Sequence, residues 1–188
     1  MNLAADLPQQ NEARMPEIVF IMDFDGVINY SGTTGYYQEK NDFGALMQER
    51  LRAGDICYEV FYSNEMLRKL KAFQRAVRAK WLWLTTWQNH TEVLDQALCL
   101  RSNETLVNDG SDAGKLACLL DFVRTHPDVA FVWIDDTAAP LFDEARFTLG
   151  NPHLVIAPDG KIGLNRNNLK TLKAFLETLR GRAIPVEL

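Results

Sequence analysis

The strongest constraint in this chain is a short apolar run that ends in acid. Ile18-Val19-Phe20-Ile21-Met22 is uninterrupted; Pro16 and Glu17 precede it, and Asp23-Phe24-Asp25-Gly26-Val27-Ile28-Asn29 follow. A short run rich in β-branched and aromatic residues reads as a strand buried on both faces, the kind found in parallel sheets. Side chains two apart on a strand share a face, so Asp23 and Asp25 are expected close together at its carboxyl end. Two carboxylates about 4 Å apart repel by roughly 4 kcal/mol at an effective dielectric of about 20. Such a pair calls for a cation, a shared proton, or both.

Downstream, apolar strands and amphipathic helices alternate. Ser63 is placed to cap a helix carrying Met66, Leu67, Leu70, Phe73 and Val77 at helical spacing. Trp81–Leu84 reads as a second buried strand, and a helix from Thr91 follows on Val93, Leu94, Ala97 and Leu98. Thr105–Val107 is a short strand candidate before the turn signal Asn108-Asp109-Gly110. Asp112 is then expected to cap a helix through Leu116, Leu119, Leu120 and Val123 that stops at His126-Pro127. Val129–Ile134 and His153–Ala157 are two more strands, with a turn at Pro158-Asp159-Gly160, and Asn165–Leu179 a closing helix. This order predicts an α/β fold, a mainly parallel sheet with helices on both faces. Residues 1–15 are polar and unpatterned, which suggests a flexible tail before a single domain over 16–188. Within that domain, residues 30–60 form a small insertion: Tyr30 to Tyr37 reads as a loop or small hairpin over the strand end, and Phe43–Leu51 looks helical.

A chain of 188 residues is long enough for one substantial core. Its net charge of −5 disfavours binding dominated by phosphate-backbone electrostatics, so a nucleic-acid end is permitted but not indicated. Cys57, Cys99 and Cys118 lack metal-ligand spacing; two fall on apolar helix faces, and all three read as reduced thiols. No run approaches membrane-spanning length and no signal peptide is evident, which makes the cytoplasm the default. Nothing here fixes an oligomeric state.

Ligands of open parallel sheets bind beyond the carboxyl ends of the strands. Three of the expected strands end there in polar residues: Asp23 and Asp25, Thr85 and Thr86, Asp135 and Asp136. Lys115 falls in the first turn of its helix, where the dipole disfavours a cation by about 0.3–1 kcal/mol, so an anionic partner is expected. Taken singly, each has an ordinary explanation. Strand-end aspartates cap turns, a threonine satisfies a turn, and a lysine is solvated. Adjacent acids at a buried edge are costly without a cation, and the four sites in this order point to one place.

In these motifs, Asp23-Phe24-Asp25-Gly26-Val27, Thr85, Lys115 and Asp135-Asp136, the sequence resembles the haloacid dehalogenase-like (HAD) phosphohydrolases. The resemblance spans Ile18 to about Asp136. Trp83-Leu84-Thr85-Thr86-Trp87, Trp133-Ile134-Asp135-Asp136 and Gly163-Leu164 are similar, more distantly, to small HAD domains of bacterial RNA-repair proteins. Receiver domains share acids, a threonine and a lysine, but place them in another order. The resemblance implies a three-layer Rossmann-like HAD fold with a minimal, flap-only cap. It implies Mg²⁺ held by Asp23, the Asp25 backbone carbonyl, Asp135 and Asp136, with Asp136 direct and Asp135 acting through water or Lys115. It also implies Asp23 as nucleophile, Asp25 as acid and base, and Thr85 and Lys115 on the phosphoryl group. Thr86 competes with Thr85, and Phe24, Thr86 and Tyr30 are candidates for substrate contact.

Only a turn separates Val107 from Lys115, which excludes a large cap there. The 30–60 insertion suits a flap, leaving a site open to a macromolecular phosphoester, with Tyr30, Tyr36 and Tyr37 as stacking platforms or as flap packing. A small phosphomonoester fits equally. Two other readings use the same acids: a non-catalytic phosphate- or nucleotide-binding module, and an acidic-cluster metal nuclease.

Overall fold

Parity along the first strand decides the layers. The computed structural model describes residues 15–30, 42–142 and 149–188, and in it the apolar run forms β1 (Glu17–Met22). Ile18, Phe20 and Met22 enter one buried cluster, while Val19 and Ile21 enter the other. A strand buried on both faces belongs in the middle of a parallel sheet. β1 lies there, between β4 (Lys80–Trp83) and β6 (Val129–Ile134), with β5 (Glu104–Thr105) and β7 (His153–Ile156) at the edges. Every pairing in the order β5-β4-β1-β6-β7 is parallel.

The helices cover the two faces. α1 (Asn64–Val77), α2 (Thr91–Ala97) and α4 (Arg166–Arg180) pack on the Phe20 side, and α3 (Asp112–Thr125) packs on the Ile21 side. The result is the three-layer, Rossmann-like α/β arrangement with flanking helices. Trp81, Trp83 and Trp133 are fully buried in it. Among the described residues, no helix is long and apolar enough to cross a membrane.

The insertion departs from expectation. Phe43–Leu51 is not helical; β2 (Leu46–Ala53) and β3 (Ile56–Ser63) form an antiparallel hairpin that turns at Gly54, φ +61°. Leu51 and Ala53 on β2, and Val60 and Tyr62 on β3, are buried, so the period along these strands is two. Local spacing suggested a helix, and cross-strand pairing overrode it. Tyr36 and Tyr37, like residues 1–14, lie outside the described residues.

Smaller differences concern ends. Ser111, not Asp112, caps α3, its Oγ accepting from the Gly114 N–H at 2.9 Å. The strand expected at Thr105–Val107 is only Glu104–Thr105, and Val107 is 66 % exposed. Cys57 lies exposed on the hairpin and Cys99 exposed just past α2, while Cys118 is half-buried on α3; none of the three is in a disulfide.

Ser63 ends β3 and caps α1. Its buried hydroxyl accepts from the Met66 N–H at 3.3 Å and donates to the Phe43 carbonyl at 2.9 Å. Replacing an N-cap serine costs about 1 kcal/mol, and the orphaned carbonyl adds to that. Ser63→Ala is therefore expected to lose about 1–2 kcal/mol in urea denaturation, with an unchanged slope; a loss below about 0.5 kcal/mol would remove the hydroxyl from this role.

Candidate active site

β1 and β6 are in register at Met22 and Ile134, so the next residues leave the sheet side by side. These are Asp23 and Asp135. The Asp23 N–H still donates to the Ile134 carbonyl at 2.9 Å, and the Asp135 N–H to the Ile156 carbonyl at 3.2 Å. Asp23 continues the parity of Val19 and Ile21, and Asp135 that of Phe131 and Trp133, so both belong to the face under α3. From the first turn of α3, Lys115 donates to the Asp23 carboxylate and, at 3.0 Å, to Asp135 Oδ2. Lys115 is only 2 % exposed, and Asp23 and Asp135 are at most 3 % exposed, so this is a buried ionic cluster. The helix dipole left Lys115 in need of an anion, and the sheet edge supplies two.

The remaining oxygens are also held. Asp23 Oδ1 accepts from the Phe24 N–H at 2.7 Å, and the Thr85 hydroxyl reaches the same carboxylate. Asp135 Oδ1 accepts from the N–H groups of Thr137 at 3.0 Å and Ala138 at 2.6 Å. Burial lifts Asp23 to about 7; Lys115 pulls it down and Asp135 pushes it up. Burial alone would lower Lys115, but Asp23 and Asp135 reverse that and hold it above its usual value. Asp136 is raised as well, by burial first and then by Asp135.

Asp136 completes the acidic group. One oxygen each from Asp23, Asp135 and Asp136 lies within 4.8 Å of the others. Two glycines leave it room: a Cβ at Gly26, φ +71°, would stand 2.1 Å from Asp136 Oδ2, and one at Gly160 2.0 Å from the same atom, so either would push that carboxylate aside. That is the steric reason for glycine after Asp25. Three carboxylates facing one ammonium leave excess negative charge, and the charge of Asp135 adds to burial in raising Asp23 and Asp136. This donor set fits a hard divalent cation such as Mg²⁺. Both oxygens of Asp135 and both of Asp23 already accept hydrogen bonds, and Lys115 is shared between the two, which leaves Asp136 the least engaged of the three carboxylates.

Asp25 is not one of the three acids whose oxygens lie within 4.8 Å of one another, although its charge acts on Asp136. After Asp23 the chain abandons the extended conformation: the Phe24 carbonyl accepts from the N–H groups of Ile28 and Asn29, each at 2.9 Å. The neighbouring carboxylate that pushes on Asp23 is Asp135. Asp25 is instead held by two neutral donors, Asn29 Nδ2 at 2.6 Å and the Trp87 indole Nε1 at 2.9 Å.

With that geometry in hand, comparison with known families is decisive. A family model described as the HAD domain in Swiss Army Knife RNA repair proteins matches residues 18–169. The chain belongs to this family. Searches of curated proteins and of solved structures gave no match. The matched span runs from β1 into α4 and contains every acid, the lysine and the hairpin described above. Membership supports a HAD-type phosphohydrolase in general terms, and the buried aspartate cluster is compatible with the Mg²⁺ that HAD enzymes generally use.

The other expected residues of this HAD domain divide sharply. Thr85 is fully buried beside Asp23, while Thr86 is exposed and lines a cavity next to Asp25. The Phe24 ring is fully buried, edge-on to Trp83 at 6.3 Å and to Trp87 at 5.4 Å, so it supports the site from within the core. Tyr30 is 1 % exposed and offers no stacking face. Sequence reasoning missed Asn29 and Trp87 as the partners of Asp25. No spacing rule links residue 25 to residue 87, and the only local signal was a tryptophan directly after a polar strand end.

A carboxyl raised to about 7 gives a signed prediction. The unfolded chain releases this proton near 3.8, so between about pH 4 and pH 7 the folded protein holds it more tightly. Asp23 therefore opposes folding increasingly as pH rises through that window. Without divalent cations, the melting temperature of Asp23→Asn relative to wild type is expected to climb from about pH 4 to about pH 8. A pH-independent difference would return Asp23 to an ordinary carboxyl.

Proposed function

We propose that this protein is a Mg²⁺-dependent phosphomonoester hydrolase that works through an aspartyl-phosphate on Asp23. The observation that carries the reading is the buried Asp23, at the end of the central strand, in contact with Lys115 and beside Asp135 and Asp136. In the first step an Asp23 carboxylate oxygen attacks phosphorus, and the bond to the ester oxygen breaks. Asp25 gives that oxygen its proton and then takes a proton from the water that hydrolyses the acyl phosphate, regenerating Asp23. The Thr85 hydroxyl and the Lys115 ammonium are placed to stabilise charge on the phosphoryl oxygens. Mg²⁺, held by Asp23 and Asp136 with support from Asp135 and the Asp25 carbonyl, would neutralise charge as a phosphate dianion approaches the acids.

The family description names RNA repair proteins, and on that ground the substrate is inferred to be a phosphorylated nucleotide or nucleic-acid end. The short turn between β5 and α3 and the slim hairpin suit an open site, and the net charge of −5 suits an end rather than a long tracked strand. The exposed thiols Cys57 and Cys99 suit a reducing compartment such as the cytoplasm.

Purified protein is expected to release phosphate from phosphomonoesters with Mg²⁺ and to lose that activity on chelation. Asp23→Asn should reduce turnover by at least about a thousandfold and Asp25→Asn by about 10²–10⁴-fold; normal turnover by Asp23→Asn would rule out the nucleophile, and internal phosphodiester cleavage would point to a nuclease. Trp87→Phe deletes one hydrogen bond to Asp25, for which about a tenfold loss in kcat is expected.

A further inference from the structure

We propose that a cavity beside Asp25 is the subsite for the leaving group and that it takes one planar six-membered ring. On the phosphohydrolase reading, on which this rests, the favoured substrates are phosphomonoesters whose leaving alcohol carries an aryl or pyrimidine-sized ring. The cavity, of about 100 Å³, is lined by Asp25, Ala53, Tyr58, Thr86, Trp87 and His90. None of Asp23, Lys115, Asp135 or Asp136 lines it, so it is separate from the place where phosphate would sit. Asp25 does line it. A group in contact with the residue that protonates the leaving oxygen is the group that departs with that oxygen.

Shape and chemistry narrow the occupant. At about 100 Å³ the cavity is smaller than the apolar cavity of about 150 Å³ that encloses benzene, but Tyr58, Thr86 and His90 on its wall are exposed and leave it open on that side, so it takes part of one ring with the rest in solvent and is too small for a fused bicycle. Three of the six lining side chains carry rings, and flat π surfaces favour flat ligands. Trp87 forms a fixed wall: it is edge-on to Phe24 and its indole N–H holds Asp25. Tyr58 is 41 % exposed on the hairpin, with its ring 4.9 Å from that of Trp87 and tilted by 49°, neither stacked nor edge-on. Among the described residues no lysine or arginine lines the cavity and Asp25 does, which disfavours a phosphate or carboxylate seated in the cavity itself. The Thr86 hydroxyl and the His90 ring supply hydrogen-bonding groups for ring substituents.

The hairpin also couples ring binding to proton transfer. Asn29, the second donor to Asp25, accepts the Phe61 N–H of β3 at 2.8 Å through its own Oδ1. Both donors to Asp25 thus touch the hairpin, Asn29 through Phe61 and Trp87 through Tyr58. An occupant that settles Tyr58 against Trp87 steadies Asp25 as well.

The test compares benzyl phosphate with cyclohexylmethyl phosphate, whose leaving alcohols are alike in size and basicity while one ring is flat and the other puckered. The expected result is kcat/KM at least about tenfold higher for the benzyl ester, a preference that collapses in Tyr58→Ala and survives in Tyr58→Phe. A readout that needs no turnover accompanies it: the indole ¹H–¹⁵N signal of Trp87, identified as the one lost in Trp87→Phe, during titration with benzylphosphonate and cyclohexylmethylphosphonate. Only the aryl phosphonate should shift it. Equal hydrolysis of both esters with no aryl-selective shift would overturn the subsite and leave the phosphatase standing. An aryl-selective shift with no phosphate released from either ester would support the subsite and overturn the phosphatase. Neither turnover nor shift would overturn both.

Discussion

A buried ammonium shared by two carboxylates is the interaction on which the rest of the site depends. Lys115, Asp23 and Asp135 are almost wholly removed from water, and isolated charges in that position would cost several kcal/mol each. They are tolerated because three elements deliver them together: adjacent strands β1 and β6 in a fixed register, and a helix packed across the face that both acids share. A slip of one residue in that register would send one acid to the opposite face. The core that looks purely structural, Val19 and Ile21 against Phe131 and Trp133, is therefore what aims the cluster.

Asp25 belongs to a second, separate system. Neutral donors hold it, and both donors lead to the β2–β3 hairpin. The site thus has a half set by the sheet, where Lys115 is shared by two buried acids, and a half set by the hairpin and the segment after β4, where neutral donors hold Asp25. One handles charge on phosphorus and the other handles a proton and the group that carries it away. Gly26 is the joint between them, since its left-handed backbone turns the chain and its missing side chain leaves room for Asp136.

Much of this is legible in the sequence. Strands that are apolar on both faces, helices with one apolar stripe and a serine cap are local patterns, and β1, β4, β6, α1 and α3 appear where those patterns lie. Strand ends carrying acids and hydroxyls identified the sheet edge, and Lys115 declared its need for an anion by sitting against the helix dipole. Phe43–Leu51 misled because a few apolar residues at near-helical spacing cannot reveal that β3 pairs with them. Tyr30 misled for a related reason: an aromatic residue after a polar motif looks exposed until the core closes over it.

The sequence by itself determined the layers, the polar sheet edge and the family, because each follows from side chains a few residues apart. Only the tertiary structure decided that Asp23 and Asp135 share Lys115 and that Asp25 accepts from Trp87. Those partners lie far along the chain, and strand order, register and the turn at Gly26 bring them together.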